Sequence, residues 1–474
     1  MSSPTVTQAD LANAINALRA EMSSQHAQHL GANRRQDDLL SGGDTAFILI
    51  CTCLVLMMTL PGLALFYGGL SQATNVLGTV MQSFAVTCLV TVLWLAFGYT
   101  IAFGAGDDAN DFIGGGAKLW LTDVEKPFGN IPESLFVTFQ CTFAVITAAI
   151  ITGSTAERMR FGPLLIFLGI WHLIVYCPLA HFEWGGGFMS KWGVLDFAGG
   201  DVVHISSGVS GLAASLIVGK RKGFSQGQSL PPHNVLLVFM GASLLWVGWF
   251  GFNAGSALGA NGGAGMAMLV THISASTAGL TWIIIEWLHV GKPSVLGAVS
   301  GAVAGLVVIT PGSGFLDQSG AFVCGITAAP VCYLGIKLKG MLGYDDALDA
   351  FGVHGIGGIW GGILTGLFAR PNIGGEGVAG AFYGNPKQLG IQLAGILFTM
   401  AFSFIMTMII LVPLDLILKA VTGQGVRVSE EVEDAGLDIS EHGESMVAPH
   451  SGSVFDAEKG AVNQVVAISA DAPP

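Results

Sequence analysis

Long apolar segments alternate with short polar segments along most of this 474-residue chain. Eleven segments are predicted to be transmembrane helices, and most have the roughly 20 apolar residues that an α-helix needs to cross the hydrocarbon layer. They lie near 45–66, 77–104, 133–153, 161–181, 196–219, 234–256, 264–289, 295–310, 320–337, 346–369 and 388–418. The eighth and ninth are short and rich in glycine and alanine, so they carry the weakest signal. The pattern predicts an all-α integral membrane protein.

Composition agrees with a membrane protein. Hydrophobic residues make up 52% of the chain and charged residues only 11%, whereas a soluble globular protein carries about 25% charged residues. The 68 glycines suggest close helix–helix contact, because small residues let transmembrane backbones approach each other. Glycine is also simply commoner in membrane helices than in soluble ones. A large soluble core is therefore the weaker alternative.

The same pattern divides the chain into four regions. Residues 1–43 are polar and lack the basic-then-apolar order of a signal peptide. We expect an extracellular N-terminal extension there, with a short amphipathic helix over 8–22. The membrane domain is predicted over 44–419, a cytoplasmic C-terminal segment over 420–446 and a disordered tail over 447–474.

Basic residues in the short loops predict the orientation, because cytoplasmic loops carry an excess of lysine and arginine. One side carries ten of them: Arg158, Arg160, Lys220, Arg221, Lys222, Lys292, Lys337, Lys339, Lys419 and Arg427. The other side carries five: Lys118, Lys126, Lys191, Arg370 and Lys387. The C-terminus is therefore predicted to be cytoplasmic, and an odd number of spans places the N-terminus outside. We expect a multi-pass protein of the plasma or inner membrane.

Charge and cysteine content weigh against several other classes of protein. The formal net charge is −13, of which residues 427–474 account for −8, so nothing in the sequence supports nucleic-acid binding. The seven cysteines lie mostly in apolar segments, and no CxxC pattern occurs. An odd count without that pattern argues against a disulfide framework and against a zinc site. We expect no cofactor.

Two histidines occupy corresponding positions in the fifth and tenth segments. Asp196 precedes His204 by eight residues, and Asp346 precedes His354 by eight. At 1.5 Å per residue, each histidine lies about 12 Å beyond its aspartate, near the middle of the membrane. The two segments are five spans apart, which reverses their direction through the bilayer. This spacing predicts a 5+5 inverted repeat with a pseudo-twofold axis, although so short a match could arise by chance.

Intramembrane histidines are costly and usually face a cavity or a partner. A single one could be a structural hydrogen-bonding residue, whereas two at corresponding depths favour a shared site. We expect neutral imidazoles that hydrogen-bond to each other beside a narrow path. A metal site is the competing hypothesis, but additional ligands at suitable spacing are missing.

Carboxylates open both histidine segments. Asp196, Asp346 and Asp349 could accept hydrogen bonds from backbone N–H groups at a helix start. They could instead coordinate a cation directly. We favour the structural role for all three.

At these residues the sequence resembles the Amt/Mep/Rh family of ammonium transporters, and its Amt branch in particular. The similarity covers nearly all of residues 45–445 in the family's order and spacing. The motifs are PGLALFYGGL (61–70), FQCTFAVIT (139–147), AERMRF (156–161), AHFEWGGG (180–187), LDFAGGDVVHI (195–205), GWFGFNAGS (248–256), GKPS (291–294) and DDALDAFGVHG (345–355). The resemblance implies eleven helices, an outside N-terminus, an inverted repeat and a homotrimer with one pore per subunit.

The resemblance also assigns roles to particular residues. Trp184, Ser256 and Phe143 match an outer ammonium-recruitment site, and Phe143 with Phe252 matches the paired rings that close the pore below it. His204 and His354 match the twin histidines of the pore. Taken alone, the tryptophan would be an interfacial residue and the phenylalanines ordinary packing. Among the three carboxylates, Asp196 matches the family's structural aspartate.

The implied activity is ammonium transport across the membrane rather than an enzymatic reaction. Ammonium is recruited outside and deprotonated, ammonia passes the histidines, and the proton crosses separately, so that transport is electrogenic. One alternative is an electroneutral ammonia or gas channel of the Rh type, against which Trp184 and its motif argue. Another is an ammonium sensor, although no output domain follows the last span.

The C-terminal segment resembles the family's regulatory C-terminus. The matching stretch is GVRVSEEVEDAGLDISEHGES, 425–445. Ser440 takes the position at which some members carry a phosphorylated threonine, although an ordinary exposed serine is the simpler interpretation. A PII-type signalling protein is a candidate partner for which the sequence itself gives no support.

Overall fold

The computed structural model describes residues 17–19, 21–22, 39–106, 109–228 and 230–446. The predictions of an N-terminal extension over 1–43 and of its amphipathic helix therefore lie largely outside the described residues. The prediction of a disordered tail over 447–474 lies wholly outside them.

Eleven helices of the described residues are long and apolar enough to cross a membrane. They are α1 (Gly42–Leu70), α2 (Val76–Phe103), α3 (Glu133–Thr155), α4 (Phe161–Trp192), α5 (Gly200–Val218), α6 (Val235–Gly255), α7 (Gly262–Val290), α8 (Val295–Gly312), α9 (Gln318–Leu342), α10 (Phe351–Phe368) and α11 (Lys387–Thr422). Each corresponds to one predicted segment, so the prediction of an all-α membrane protein with eleven spans is confirmed. The short eighth and ninth segments are both real helices.

The helix starts of α5 and α10 differ from the prediction. Both begin later than expected, at Gly200 and Phe351 instead of 196 and 346. In each case the opening aspartate lies in a non-helical turn, and the helix proper begins with a π-helical turn, Gly200–Ile205 or Phe351–Gly355. A hydropathy pattern cannot distinguish such a turn from the helix that follows it.

Short elements cover the ends of the helical bundle. A two-stranded antiparallel hairpin, β1 (Pro127–Phe128) and β2 (Ile131–Pro132), leads into α3. The C-terminal segment forms two short helices, α12 (Glu430–Ala435) and α13 (Leu437–His442). Further helical turns occupy Gly116–Leu121, Lys222–Ser225, Pro371–Gly374 and Ala381–Tyr383.

The interior of the bundle lies around α3. In the most apolar 18-residue stretch of α3, 94% of the residues are buried, whereas only 39% are buried in the corresponding stretches of α2, α7, α9 and α11. The latter four helices expose large apolar side chains, as a lipid-facing surface requires.

Proline distorts α1. Pro61 lies in a π-helical turn, Met58–Leu63, because proline lacks the N–H that a regular helix would use.

Glycine brings the two histidine helices into contact. A side chain at Gly208 of α5 would collide with the backbone of Gly355 in α10. The two backbones can therefore touch because position 208 is glycine, whereas a side chain at Gly355 would meet the ring of Phe351 in its own helix. This contact places the first turns of α5 and α10 side by side in the centre of the bundle.

Candidate functional site

The two predicted histidines face each other at the centre of the membrane domain. The Nδ1 atoms of His204 and His354 are 3.2 Å apart, and their ring centroids are 5.2 Å apart. This geometry fits two neutral imidazoles, one of which donates its Nδ1–H to the other. Both side chains are buried, and Nε2 of His204 has no hydrogen-bond partner. The pair therefore offers a free polar atom in otherwise apolar surroundings.

Aspartates hold the turns that carry these histidines. The carboxylate of Asp196 accepts hydrogen bonds of 2.6–3.2 Å from four backbone N–H groups, those of Gly199, Gly200, Asp201 and Val202. The carboxylate of Asp346 accepts hydrogen bonds of 2.8–3.4 Å from three, those of Ala350, Phe351 and Gly352. Both arrangements are those of a helix cap. Burial raises the pKa of Asp196, while its backbone hydrogen bonds oppose the rise.

Asp349 differs from the other two carboxylates. It has a left-handed backbone conformation, with φ of 62°. Its side chain forms an ion pair of 2.5 Å with Lys339 and does not cap a helix. Burial raises the pKa of Asp349, and the charge of Lys339 lowers it. The expectation of a shared capping role therefore fits Asp196 and Asp346 but does not fit Asp349.

Two phenylalanine rings lie between the histidine pair and Trp184. The rings of Phe143 and Phe252 are stacked, with centroids 4.1 Å apart and planes 13° apart. Each side chain is only 1% exposed. The ring of Phe252 lies 6.2 Å from that of His204. The stack therefore fills the space between His204 and Trp184.

Trp249 is a site residue that the sequence analysis missed. Its ring stacks on His204 at 5.4 Å, and its Nε1–H donates to the hydroxyl of Thr310 at 2.8 Å. Trp249 lies three residues before Phe252 within GWFGFNAGS, a spacing that places both on one helix face. This three-residue spacing from Phe252 was the feature of the sequence that could have identified Trp249 as a site residue.

Trp184 and Ser256 lie beyond the phenylalanine stack. The Nε1–H of Trp184 donates to the backbone carbonyl of Asp196 at 2.8 Å, and its ring is perpendicular to Phe143 at 6.0 Å. The hydroxyl of Ser256 donates to the carbonyl of Phe252 at 2.9 Å, which leaves its lone pairs able to accept a hydrogen bond. Gln140, also missed by the sequence analysis, lines the same cavity, and its Oε1 has no partner.

Three cavities are lined in turn by the tryptophan and phenylalanine residues, by the histidine pair, and by His354 with charged residues. The first has a volume of about 190 Å³ and is lined by Phe103, Phe128, Phe136, Gln140, Phe143, Trp184, Phe197, Ser256 and Leu258. The second, of about 10 Å³, is bounded by Phe252, His204 and His354, and a third of about 410 Å³ also reaches His354. The first two are lined without charged side chains, whereas the third contains lysine, arginine and carboxylate groups. Phe143 lines the first cavity and Phe252 the second, and His354 lines both the second and the third.

A buried ion-pair network lies beside the third cavity, and the sequence analysis did not anticipate it. Arg221 donates to Asp345 at 2.9 Å and to Glu157 at 2.8 Å. Burial opposes the charge of Arg221, but these two carboxylates hold its pKa above the usual value. Burial likewise favours neutral Asp345, yet hydrogen bonds from Arg221 and the charges of Arg158 and Arg221 keep its pKa below the usual value. Burial lowers the pKa of Arg158 to about 10.

No group of three or more histidine, cysteine or acidic side chains that could hold a metal ion occurs in the described part of the chain. His204 and His354 lie at hydrogen-bonding distance from each other, with 3.2 Å between their Nδ1 atoms.

Ser440 is exposed on α13. The segment around it packs on the loops of its own subunit. The backbone N–H of Arg160 donates to the carbonyl of Val426, and the backbone N–H of Val428 donates to the carbonyl of Arg158. The structure therefore places Ser440 on a docked surface segment.

Comparison with known proteins points to one family. The sequence model of the Ammonium Transporter Family matches residues 46–447. An ammonium transporter of Bacillus subtilis (strain 168) is 49% identical over 407 residues, which cover 85% of this chain and 98% of that protein. The crystal structure of Candida albicans Mep2 matches with a TM-score of 0.77 and 34% identity, over 84% of this chain and 88% of that chain. A structure described as a sensor Amt protein matches with a TM-score of 0.77 and 27% identity, over 86% of this chain and 99% of that chain.

Proposed function

Because this chain belongs to the ammonium transporter family, and is therefore a multi-pass membrane protein that transports ammonium, we propose that its three cavities form the transport path. The observation that carries this proposal is their order. A wide outer cavity, a stacked ring pair, a cavity of about 10 Å³ at the histidines and a wide inner cavity follow one another.

The outer cavity is the proposed recruitment site. Trp184 and Phe143 present aromatic rings, and Ser256 presents an acceptor oxygen. An aromatic face attracts a cation by up to about 2 kcal/mol when water is excluded. The ammonium ion can also donate one N–H to the serine oxygen, which a potassium ion cannot do. We assign these three residues to ammonium binding.

The phenylalanine stack is the proposed point of proton loss. Beyond it the path narrows to a cavity of about 10 Å³ lined mostly by apolar side chains, which corresponds to about one water-sized molecule. An isolated cation in such surroundings faces a large desolvation cost. Neutral ammonia does not face this cost. We therefore propose that ammonium gives its proton to water in the outer cavity, beside Phe143, and that ammonia continues past Phe252.

The histidines then line the path of ammonia. Nε2 of His204 is buried without a partner, so it can hydrogen-bond to a passing ammonia molecule. In this proposal the proton crosses separately and net transport is electrogenic. The rival is electroneutral conduction of ammonia, as in an Rh-type channel.

The test is ammonium-elicited current in liposomes that contain the purified full-length protein, alongside Trp184→Ala and His204→Ala. We expect a current with ammonium, none with potassium, and a change in either variant. Internal alkalinisation without current would replace electrogenic transport by electroneutral conduction. Absence of any flux would favour a sensor, for which the likeness to the sensor Amt structure gives a precedent.

The assembly and regulation are proposals of the same kind. We propose a homotrimer with one path per subunit, a membrane domain over 44–419 and a regulatory segment over 420–446. Phosphorylation of Ser440 would add about −1.5 to −2 charges to a segment that is already acidic. A PII-type protein remains a candidate partner at the cytoplasmic face.

A further inference from the structure

Two carboxyl groups lie inside the membrane domain without a basic partner. Glu183 is in α4, next to Trp184, and Asp201 is in the first turn of α5, three residues before His204. Glu183 is 7% exposed and Asp201 is 3% exposed. No ion pair involves either of them in the part of the chain that the structure describes. None of the transport steps proposed above uses them.

One oxygen of each carboxyl group has no hydrogen-bond partner, namely Oε1 of Glu183 and Oδ2 of Asp201. The nearby Asp196 contrasts with them, because both of its oxygens accept backbone N–H groups. Buried polar atoms in native proteins are almost always paired, so two unpaired oxygens point to a missing ligand.

Among the residues that the structure describes, no lysine, arginine or histidine forms an ion pair or hydrogen bond with Asp201. Its carboxylate packs against glycine positions of neighbouring helices, and a methyl group at Gly395 of α11 would lie only 3.2 Å from Oδ2. A methyl group at Gly362 of α10 would lie 4.0 Å from Oδ1. Glycine at both positions therefore makes room for the carboxylate.

Within the described part of the chain, the titratable side chains on the helices around the two acids form no ion pair or hydrogen bond with them. Asp196 lies in the loop before α5, and His181 on α4 uses both ring nitrogens on the carbonyl groups of Ala102 and Asn110. The remaining such residues on α2, α3, α4, α5, α10 and α11 are Cys88, Tyr99, Glu133, Cys141, His172, Tyr176, Cys177, Lys191, His204, His354, Lys387, Asp415 and Lys419. The end of α4 that carries Glu183, Cys177–Glu183, is in contact with the first turn of α5, Gly200–Ile205, which carries Asp201.

Two ionised carboxylates so placed would repel each other in surroundings that solvate neither of them. One proton relieves both costs, because it removes a charge and lets one carboxyl group donate an O–H to the other. We propose that Glu183 and Asp201 share one proton and form a protonation site, distinct from the histidine pair, whose occupancy sets the pH dependence of transport. The effect on transport rests on the proposed function, whereas the proton site itself does not.

Infrared spectroscopy of the full-length protein tests the proton site directly. A protonated carboxyl group gives a C=O stretching band that ionised groups lack and that shifts in D₂O. We expect this band at neutral pH in the wild type and its loss in the double variant Glu183→Gln with Asp201→Asn. Each single variant should shift or weaken it. Glu376→Gln, which changes an exposed glutamate, is the matched control and should leave it intact.

Two infrared results would overturn the proposal. One is a spectrum of the double variant that equals the wild-type spectrum in this region. The other is a band that appears in choline chloride but vanishes in sodium chloride, since the occupant would then be a metal cation. Elution of each variant as a single species in size exclusion establishes that it is folded, and the single variants keep the test available if the double variant aggregates.

The pH profile of ammonium-elicited current tests the role in transport. We expect the midpoint of the double variant to move by about one pH unit, the size of a typical environmental shift, while Glu376→Gln retains the wild-type profile. An unchanged profile in a variant that has lost the band would refute the transport role. If even the wild type carries no flux, the proposed function fails, and the infrared result still decides the proton site.

Discussion

Trp249 has two separate contacts beside the histidine pair, and one of them can be removed without deleting the aromatic ring. Its ring stacks on His204, and its Nε1–H donates to Thr310. Trp249→Phe keeps a ring but deletes the donor. We expect unfolding to become easier by about 1 kcal/mol, the usual net value of one such hydrogen bond. Thermal unfolding of the detergent-solubilised protein, followed by size exclusion, measures this difference.

The control for this prediction is Trp246→Phe on the same helix. Nε1 of Trp246 is buried and has no partner, so its removal breaks no hydrogen bond. We expect this variant to be as stable as the wild type or slightly more stable. Equal losses in both variants would contradict the importance of the contact with Thr310.

Asp345 predicts a pH effect of definite sign. Its pKa lies below the usual value, because Arg221 and Arg158 outweigh the effect of burial. An acid with a lowered pKa in the folded state stabilises the protein above its unfolded pKa of about 4 and loses that contribution as the pH falls through the folded pKa. At neutral pH, Asp345→Asn should cost about 3–5 kcal/mol, as for one member of a buried ion pair.

Comparison of the two proteins across pH isolates this group. The difference in thermal stability between wild type and Asp345→Asn should be constant near neutral pH and should shrink below about pH 4. A difference that stays constant through this acid range would mean that the charge of Asp345 is not what stabilises the network.

At this scale the sequence predicted residues that carry a strong chemical signal. His204 and His354 were recognisable because histidine is costly inside a membrane and because both follow an aspartate by eight residues. Trp249 was not, since a tryptophan in an apolar helix is usually ordinary packing. Glu157, Arg221 and Asp345 contact one another from three different loops. Sequence spacing contains no information about such contacts.

Among the helices, α13 caps the starts of two transmembrane spans. Asp438 accepts the N–H of Gly78 in α2 at 2.7 Å, and Glu441 accepts the N–H of Phe161 in α4 at 2.9 Å. In return, Asn75 accepts the N–H of Leu437 at 2.8 Å. An acidic side chain at a helix start is stabilised by the unpaired N–H groups and by the helix dipole. These caps hold the C-terminal segment against the first turns of α2 and α4.

Asp438→Ala should therefore release this segment. Loss of a capping side chain costs about 1 kcal/mol, so we expect protease cleavage within 424–446 to accelerate by roughly fivefold to tenfold. Asp434→Ala is the matched control, because Asp434 forms an exposed ion pair with Lys222, which contributes less than about 1 kcal/mol. Similar acceleration in both variants would mean that general acidity, not the cap, holds the segment.

Hydropathy was sufficient to find all eleven spans, including the short eighth and ninth, because membrane length imposes a minimum apolar run. It misplaced the starts of α5 and α10, where Asp196 and Asp346 cap non-helical turns. The aspartates themselves were the clue, since a carboxylate inside an apolar run needs backbone donors. The position of α13 on α2 and α4 was not predictable, because those contacts join residues some 280 to 360 positions apart.

For the whole molecule, direction through the membrane decides which end of the path recruits ammonium. Ten basic residues in one set of loops against five in the other predict that the C-terminus is cytoplasmic. The outer cavity with Trp184 then faces the cell exterior, and the cavity with Arg221 and Asp349 faces the cytoplasm.

Two serine substitutions test this orientation with the same chemistry. Ser190 and Ser225 are both exposed, and they lie on opposite predicted sides. In a background in which the exposed Cys53 and Cys88 are changed to serine, a membrane-impermeant maleimide should label Ser190→Cys in intact cells. It should label Ser225→Cys only after the membrane is permeabilised. The reverse pattern would place Trp184 and its cavity on the cytoplasmic side, and the proposed recruitment site would then take up ammonium that is leaving the cell.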